Sequence, residues 1–332
     1  MEKKKLLIIG AGLSGLYSAV LLQERYDVTV LEARERTGGR IMAMGGHDMG
    51  PSWVWAHQKN ILRLIESLGL ELFPQYTHGL ALYDAPDGVQ RFNPSAGVPS
   101  FRVKGGISQI VAALEKRLHK AVNFNEKVLS LIESDEKIVV KTVSKSYEAD
   151  KVISTLPPRL AAESIVYSPS LPSTLHTQLQ NIPTWMGYSA KCVIEYPEAF
   201  WREEGVSGFA VSHLGPLAEI HDASTSDKAA LFGFVHSRAD YEDLQERIIT
   251  QLKRLYGAKA ENPTKIYLVD WKKENCTSTP LDAMPLSEHP SYGFAATHFH
   301  DKLFFSGTES AFSEGGYLEG AIVSAMQVAK SL

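Results

Sequence analysis

The spacing of apolar positions changes along this chain, and each change marks an element. Lys5-Leu6-Leu7-Ile8-Ile9 is a short run rich in Leu and Ile, the pattern of a buried parallel strand. Leu13, Leu16, Tyr17, Val20 and Leu21 follow at helical spacing, and Val28-Thr29-Val30-Leu31 reads as a second strand. Ile61, Leu62, Leu64, Ile65 and Leu68 form the stripe of another helix, which Gly69 stops. Residues 76–103 carry Pro86, Gly88, Pro94, Gly97 and Pro99 and read as loop. A helix with Ile107, Ile110, Val111 and Leu114 on one side comes next. Strand-like segments follow at Val122–Phe124, Val128–Ile132, Ile138–Val143 and Val152–Ile153, ending at Pro157-Pro158. From Met186 to Val235 apolar and polar residues alternate in short runs, as in an antiparallel sheet with one open face. Tyr241–Tyr256 is amphipathic, with Leu244, Ile248, Leu252 and Leu255 inward. A last strand at Leu303-Phe304-Phe305 leads to a helix from about Leu318. No internal repeat or low-complexity tract interrupts the series.

Composition narrows the classes. The chain has 332 residues, 44% hydrophobic and 22% charged, with a net charge of −4. That is ordinary globular chemistry, and no basic block points to nucleic acid. No stretch is long and apolar enough to span a bilayer, and no small-residue cleavage pattern follows Lys3-Lys4-Lys5. Two cysteines, Cys192 and Cys276, make no disulfide framework, so a cytoplasmic setting is expected.

Three pieces carry the chemistry. Gly10, Gly12 and Gly15 stand in the G-x-G-x-x-G spacing between strand and helix, with Ser14 among them. The first glycine allows the tight turn, the second lets a pyrophosphate approach backbone, and the third lets helix pack on strand. Glu32 ends the next strand, where a carboxylate can take both ribose hydroxyls, and an acid there argues against a 2′-phosphate. Arg36-Thr37-Gly38-Gly39-Arg40 is the second piece, and Ser306-Gly307-Thr308-Glu309 with Gly316-Tyr317 the third. Arg40 can make charge-assisted bonds to a pyrophosphate, and the helix N-terminus after Gly315-Gly316 can stabilise negative charge. One helix N-terminus cannot hold a cofactor as large as FAD, whereas three such pieces can. The expected fold is α/β, an FAD-binding Rossmann-type domain built from 1–75, 104–175 and 270–332. The inserted α+β substrate domain, 76–103 and 176–269, carries the antiparallel sheet.

These motifs resemble the flavin-containing amine oxidases, the monoamine and polyamine oxidase family, over most of the chain. Val30 through Arg40, including Glu32, Ala33, Arg34, Gly38, Gly39 and Arg40, looks like that family's strand, ribose acid and second phosphate loop. The resemblance implies that Gly50, Pro51, Ser52 and Trp53 lie beside the flavin ring and that Val128 offers backbone to the adenine. It places Gly307, Thr308, Glu309, Gly316, Tyr317 and Leu318 along the ribityl chain and under the ring. It also implies two catalytic candidates. Lys191, in Ser189-Ala190-Lys191-Cys192-Val193-Ile194, is similar to the family lysine that reaches flavin N5 through a water. Tyr317 is similar to one wall of an aromatic slot over the ring.

The implied reaction oxidises a C–N bond of a small-molecule amine by hydride transfer to N5, with O2 reoxidising the flavin and H2O2 released. Flavin-dependent carbon–carbon desaturases and protoporphyrinogen oxidases share the cofactor motifs, and a non-catalytic flavin-binding module is a third reading. Glu274-Asn275-Cys276-Thr277 lacks the paired glycines and following tyrosine of a covalent attachment motif, so FAD is expected to be non-covalent. His298-Phe299-His300 has no third ligand at metal spacing, so no metal is expected. The chain is shorter than typical members, with the missing length placed at 76–103, and the second wall of the slot has no candidate. The substrate site is therefore expected to be open or completed by a homodimer mate or partner protein. No C-terminal membrane anchor is expected.

Overall fold

The computed structural model describes residues 2–332 except Ala96, Arg238 and Asp240. At its centre is a five-stranded sheet in the order Asp27–Leu31, Lys5–Ile9, Lys151–Ser154, Leu303–Phe305 and Thr297–His298. The first four strands are parallel, with Ile8 opposite both Val30 and Ile153, and Thr297–His298 pairs antiparallel at the edge. Side chains alternate across this sheet and build two cores. Leu6, Ile8 and Val30 face helices Leu13–Leu22, Lys59–Ser67, Ser108–Glu115 and Leu318–Ser331. Leu7, Ile9 and Leu31 face helices Pro158–Ser164 and Ser173–Asn181 and a second sheet of Ser146–Ala149, Lys137–Thr142, Val128–Ser134 and Val166–Ser168. Burial on both faces is why the first strand reads as a continuous apolar run. Each fully buried Leu or Ile here contributes roughly 1.5–3 kcal/mol.

The third layer is a seven-stranded sheet in the order Lys265–Asp270, Ala190–Tyr196, Ala229–Val235, Leu217–Asp222, Val206–Ser212, Leu80–Ala85 and Gly88–Phe92. Its pairings are antiparallel except Val206–Ser212 with Leu80–Ala85. Helix Leu244–Tyr256 covers one face, with Leu244, Ile248, Leu252 and Leu255 buried as the periodicity predicts. The other face presents Val193, Ala230, Phe232 and Val269 to Met49 and Trp271.

Several readings are corrected. Residues 76–103 are not loop: they contain strands Leu80–Ala85, Gly88–Phe92 and Ser100–Val103, and the last joins Val54–Trp55 and Leu72–Pro74 in a small sheet. The prolines and glycines that suggested loop lie between these strands or at their ends. Val122–Phe124 is no strand but a single bridge of Asn123 to Leu31. Pro157-Pro158 begins a helix rather than only ending a strand, because proline fits the first helical turn. The segment after His298 turns sharply, with Phe299, His300 and Asp301 all at positive φ. His298 hydrogen bonds to the Pro169 carbonyl and His300 to Glu133, so the two imidazoles serve separate contacts. Among the described residues no His, Cys, Asp or Glu cluster suits a metal, and no helix is long and apolar enough to cross a membrane.

Candidate active site

The first phosphate-type loop is shaped by steric necessity. Gly10 turns the chain at φ +101°, and a Cβ on Gly15 would lie 2.0 Å from the Gly10 carbonyl oxygen. Helix Leu13–Leu22 can therefore sit against the strand end only with glycine there. Gly12 differs: its backbone is extended, at φ −74° and ψ 179°, and a Cβ would meet nothing nearer than 3.9 Å. The space beside it is cavity. Gly12 bridges Gly38, which brings the second loop alongside the first. Arg36 folds back on that loop and donates to the Thr37 and Gly39 carbonyls. Glu32 accepts from the backbone N–H groups of Ala11 at 2.8 Å and Arg34 at 3.0 Å. Each carboxylate oxygen accepts one of these bonds and keeps a further lone pair, and Glu32 lines the cavity. Arg34 in turn donates to Glu274 and to the Thr277 hydroxyl.

Beyond the loops, Lys191 enters from the seven-stranded sheet. Its strand is buried on both sides, and the side chain is 2% exposed. The ammonium donates to the Gly50 carbonyl at 2.9 Å and the Ser52 hydroxyl at 2.5 Å, and it lies 4.2 Å from the Phe232 ring centre. Burial pushes this lysine down to about 7, against the pull of Asp48 and aided by Arg102. Burial raises Asp48 in turn, while Lys191 and the Ile107 N–H oppose the shift. Trp271 donates to the Met49 carbonyl and packs beside Gly50.

The closing segment completes the wall. Thr308 donates to the Tyr317 carbonyl at 2.6 Å, just before helix Leu318–Ser331. Arg40 lines the cavity and commits two of its five N–H donors to a protein partner. Its fork is bidentate on buried Glu309, at 2.6 and 3.0 Å. Burial works against its charge, but Glu309 more than offsets this and holds Arg40 above its ordinary range. Tyr317 stacks with His289, their rings 8° from parallel, and meets Trp55 and Trp185 edge-on.

All these groups meet in one cavity of about 380 Å³. Every candidate from the sequence lines it except Gly15 and Glu309, which pack behind the wall: Gly10, Gly12, Ser14, the Glu32–Arg34 and Gly38–Arg40 stretches, Gly50 through Trp53, Val128, Lys191, and the Gly307-Thr308 and Gly316–Leu318 pieces. The structure adds Trp185, Trp271 and Glu126, which the sequence reading did not single out. Trp185 packs over Gly316, where a Cβ would lie 3.0 Å from its ring. No periodicity marked it, because it stands in a connection before a strand. Glu126 lines the cavity near Val128 and accepts from the Thr142 and Ser144 hydroxyls. Cys276 lines the cavity beside Thr277 at the Glu32–Arg34 end.

The donor set suits a dinucleotide. Side-chain-free backbone at Gly12 opens onto the cavity beside a helix N-terminus, a carboxylate with free lone pairs lies at a strand end, and a buried cation and aromatic rings lie further along.

The family model for flavin containing amine oxidoreductases matches residues 13–99 and 87–332. Flavin-containing amine oxidase A of Canis lupus familiaris is 25% identical over 446 aligned positions, covering 98% of this chain and 84% of the relative. That alignment is longer than the chain, so the relative carries internal sequence that this chain lacks. A probable flavin-containing monoamine oxidase A of Dictyostelium discoideum is 31% identical over 254 positions, covering 71% of this chain and 54% of its own. Putrescine oxidase, solved with putrescine bound, shares the fold with a TM-score of 0.83 at 21% identity, covering 99% of this chain and 98% of that one.

Proposed function

Because this chain belongs to the flavin-containing amine oxidoreductase family and is an FAD-dependent oxidoreductase, we propose that it oxidises the C–N bond of a small-molecule amine. The observation that carries this is the single cavity joining the two glycine loops to Lys191 and to the Tyr317–Trp185 aromatic wall. The bound flavin supplies the acceptor for a hydride from the carbon bearing nitrogen, and O2 takes the electrons on, leaving as H2O2.

The protein's own residues do the rest. Segments 1–75, 104–175 and 270–332 hold the cofactor as a Rossmann-type domain, and 76–103 with 176–269 form the substrate side. Gly10, Gly12 and Gly38 admit the diphosphate to backbone, Glu32 takes the ribose hydroxyls, and Val128 backs the adenine. Gly50 through Trp53, with Trp271, wall the ring end and exclude water. Tyr317 orients the amine, and Trp185 is the partner ring that the sequence did not reveal. Lys191 holds a cation at the ring end whose charge near neutrality stabilises negative charge as O2 is reduced. FAD is held without a covalent bond, since the Cys276 setting lacks the attachment motif and Cys276 stands next to Thr277, the partner of Arg34.

The test is the visible spectrum of the purified protein under anaerobic addition of amines, with putrescine included because a protein of this fold binds it. Bleaching by an amine, and peroxide on readmitting air, is expected. A flavin that stays oxidised with every amine but bleaches with a porphyrinogen would overturn the substrate class.

A further inference from the structure

Three serine hydroxyls run in a buried line between the two halves of the cofactor wall. Ser14 Oγ lies 2.8 Å from Ser306 Oγ, which lies 3.0 Å from Ser324 Oγ, and Ser324 Oγ accepts from the Gly307 N–H at 3.1 Å. The three are 5%, 2% and 1% exposed. They come from helix Leu13–Leu22, the end of the last sheet strand, and helix Leu318–Ser331. Only Ser14 reaches the cavity.

Proton counting gives this line a direction. Among the described residues, Ser324 has no acceptor other than Ser306, and Ser306 has none besides its two serine neighbours. If Ser14 donated inward, the hydrogen of either Ser306 or Ser324 would be buried with nothing to meet. If Ser324 donates to Ser306, and Ser306 to Ser14, every inner hydrogen is satisfied. The one left over is then on Ser14, where the cavity begins. The Gly307 N–H occupies a Ser324 lone pair and completes the set.

We infer that Ser306 and Ser324 are positioning residues that aim the Ser14 hydroxyl hydrogen at a phosphate oxygen of bound FAD. The inference rests on the cofactor reading above and adds residues that touch no ligand. A pre-aimed donor loses less freedom on binding than a hydroxyl free to rotate, and its bond to an anion is charge-assisted.

A double-mutant cycle tests it. Apoprotein is titrated with FAD by flavin fluorescence for wild type, Ser14→Ala, Ser306→Ala, Ser324→Ala and the Ser14→Ala/Ser306→Ala pair. Each single change is expected to raise the FAD Kd about tenfold. The pair is expected to bind within about twofold of Ser14→Ala, because Ser306 acts only through Ser14. Apoprotein melting should not track these losses. Full multiplication of the two single effects, or a Ser306→Ala protein that binds FAD like wild type, would overturn the relay. If Ser306→Ala does not fold, Ser324→Ala in the same cycle with Ser14→Ala carries the same expectations. Wild-type apoprotein that takes up no FAD would instead overturn the cofactor assignment at these loops.

Discussion

Glu319 offers a sharp test of how the closing helix supports the site. Its carboxylate is 5% exposed and reaches across to the start of helix Lys59–Ser67. One oxygen accepts from the Asn60 N–H at 3.0 Å and the Asn60 side-chain amide at 2.7 Å, and the other accepts from the Ile61 N–H at 2.7 Å. Gln58, at the cap position, makes no capping bond of its own, so a residue 259 positions away satisfies the orphan donors. Glu319→Gln keeps the shape but turns one oxygen into an NH2 group. With the amide oxygen toward Asn60, that NH2 faces the Ile61 N–H, donor against donor. The cost is one charge-assisted bond of ~1.5–3 kcal/mol plus weakening of two others, together about 3–4 kcal/mol. Unfolding entropy near 2.1 cal/mol/K per residue makes about 0.7 kcal/mol/K for a chain this long, so Tm should fall by about 5 °C. Differential scanning calorimetry on holoprotein reads this directly. A fall below about 1 °C would refute the long-range cap.

Lys191→Met should retain FAD but reoxidise with O2 at least tenfold more slowly in stopped-flow, and unchanged reoxidation would rule out the assigned role. In wild type the rate should fall as pH rises through about 7, because the protonated form below that value carries the charge, and the Met variant should lose this step. Gly12→Ala should leave apoprotein melting within about 1 °C, since its backbone is ordinary and its Cβ unobstructed, yet weaken FAD binding at least a hundredfold by equilibrium titration. Gly15→Ala should instead lower apoprotein Tm or prevent folding, as its Cβ would collide with the Gly10 carbonyl. Trp185→Ala should raise KM for an amine substrate about tenfold with the flavin spectrum retained, and an unchanged KM would remove Trp185 from the substrate wall.

What the sequence revealed follows from what is local. The Lys5–Ile9 strand, its glycine turn and Glu32 lie within one unit, and each imposes its own pattern of residues. Helix Leu244–Tyr256 was likewise readable from one apolar stripe. Residues 76–103 were misread because prolines and glycines crowd the connections between short strands, and one of those strands lies at a sheet edge. Gly88–Phe92 is largely exposed, so apolar alternation is absent there. Lys265–Asp270 was passed over although it pairs along the whole Lys191 strand, because its pattern of half-buried residues is weak. Within the site, glycines and Lys191 carry recognisable local settings. Trp185, the Arg40–Glu309 pair and the Glu319 cap do not, since each is defined only by a partner more than a hundred residues away.

The pairing of helix Leu13–Leu22 with helix Leu318–Ser331 sets an order of events in the life of the molecule. Arg25 and Tyr26 hydrogen bond to the carbonyls of Ala329 and Leu332, and Ser14 reaches Ser306. During synthesis the first glycine loop leaves the ribosome long before the stretch that must close over it. Until then the part of that helix face which helix Leu318–Ser331 covers stays open, and the nascent chain depends on transient shielding. Coenzyme capture is consequently a late step: the pocket has both its walls only once the last helix has docked against the first.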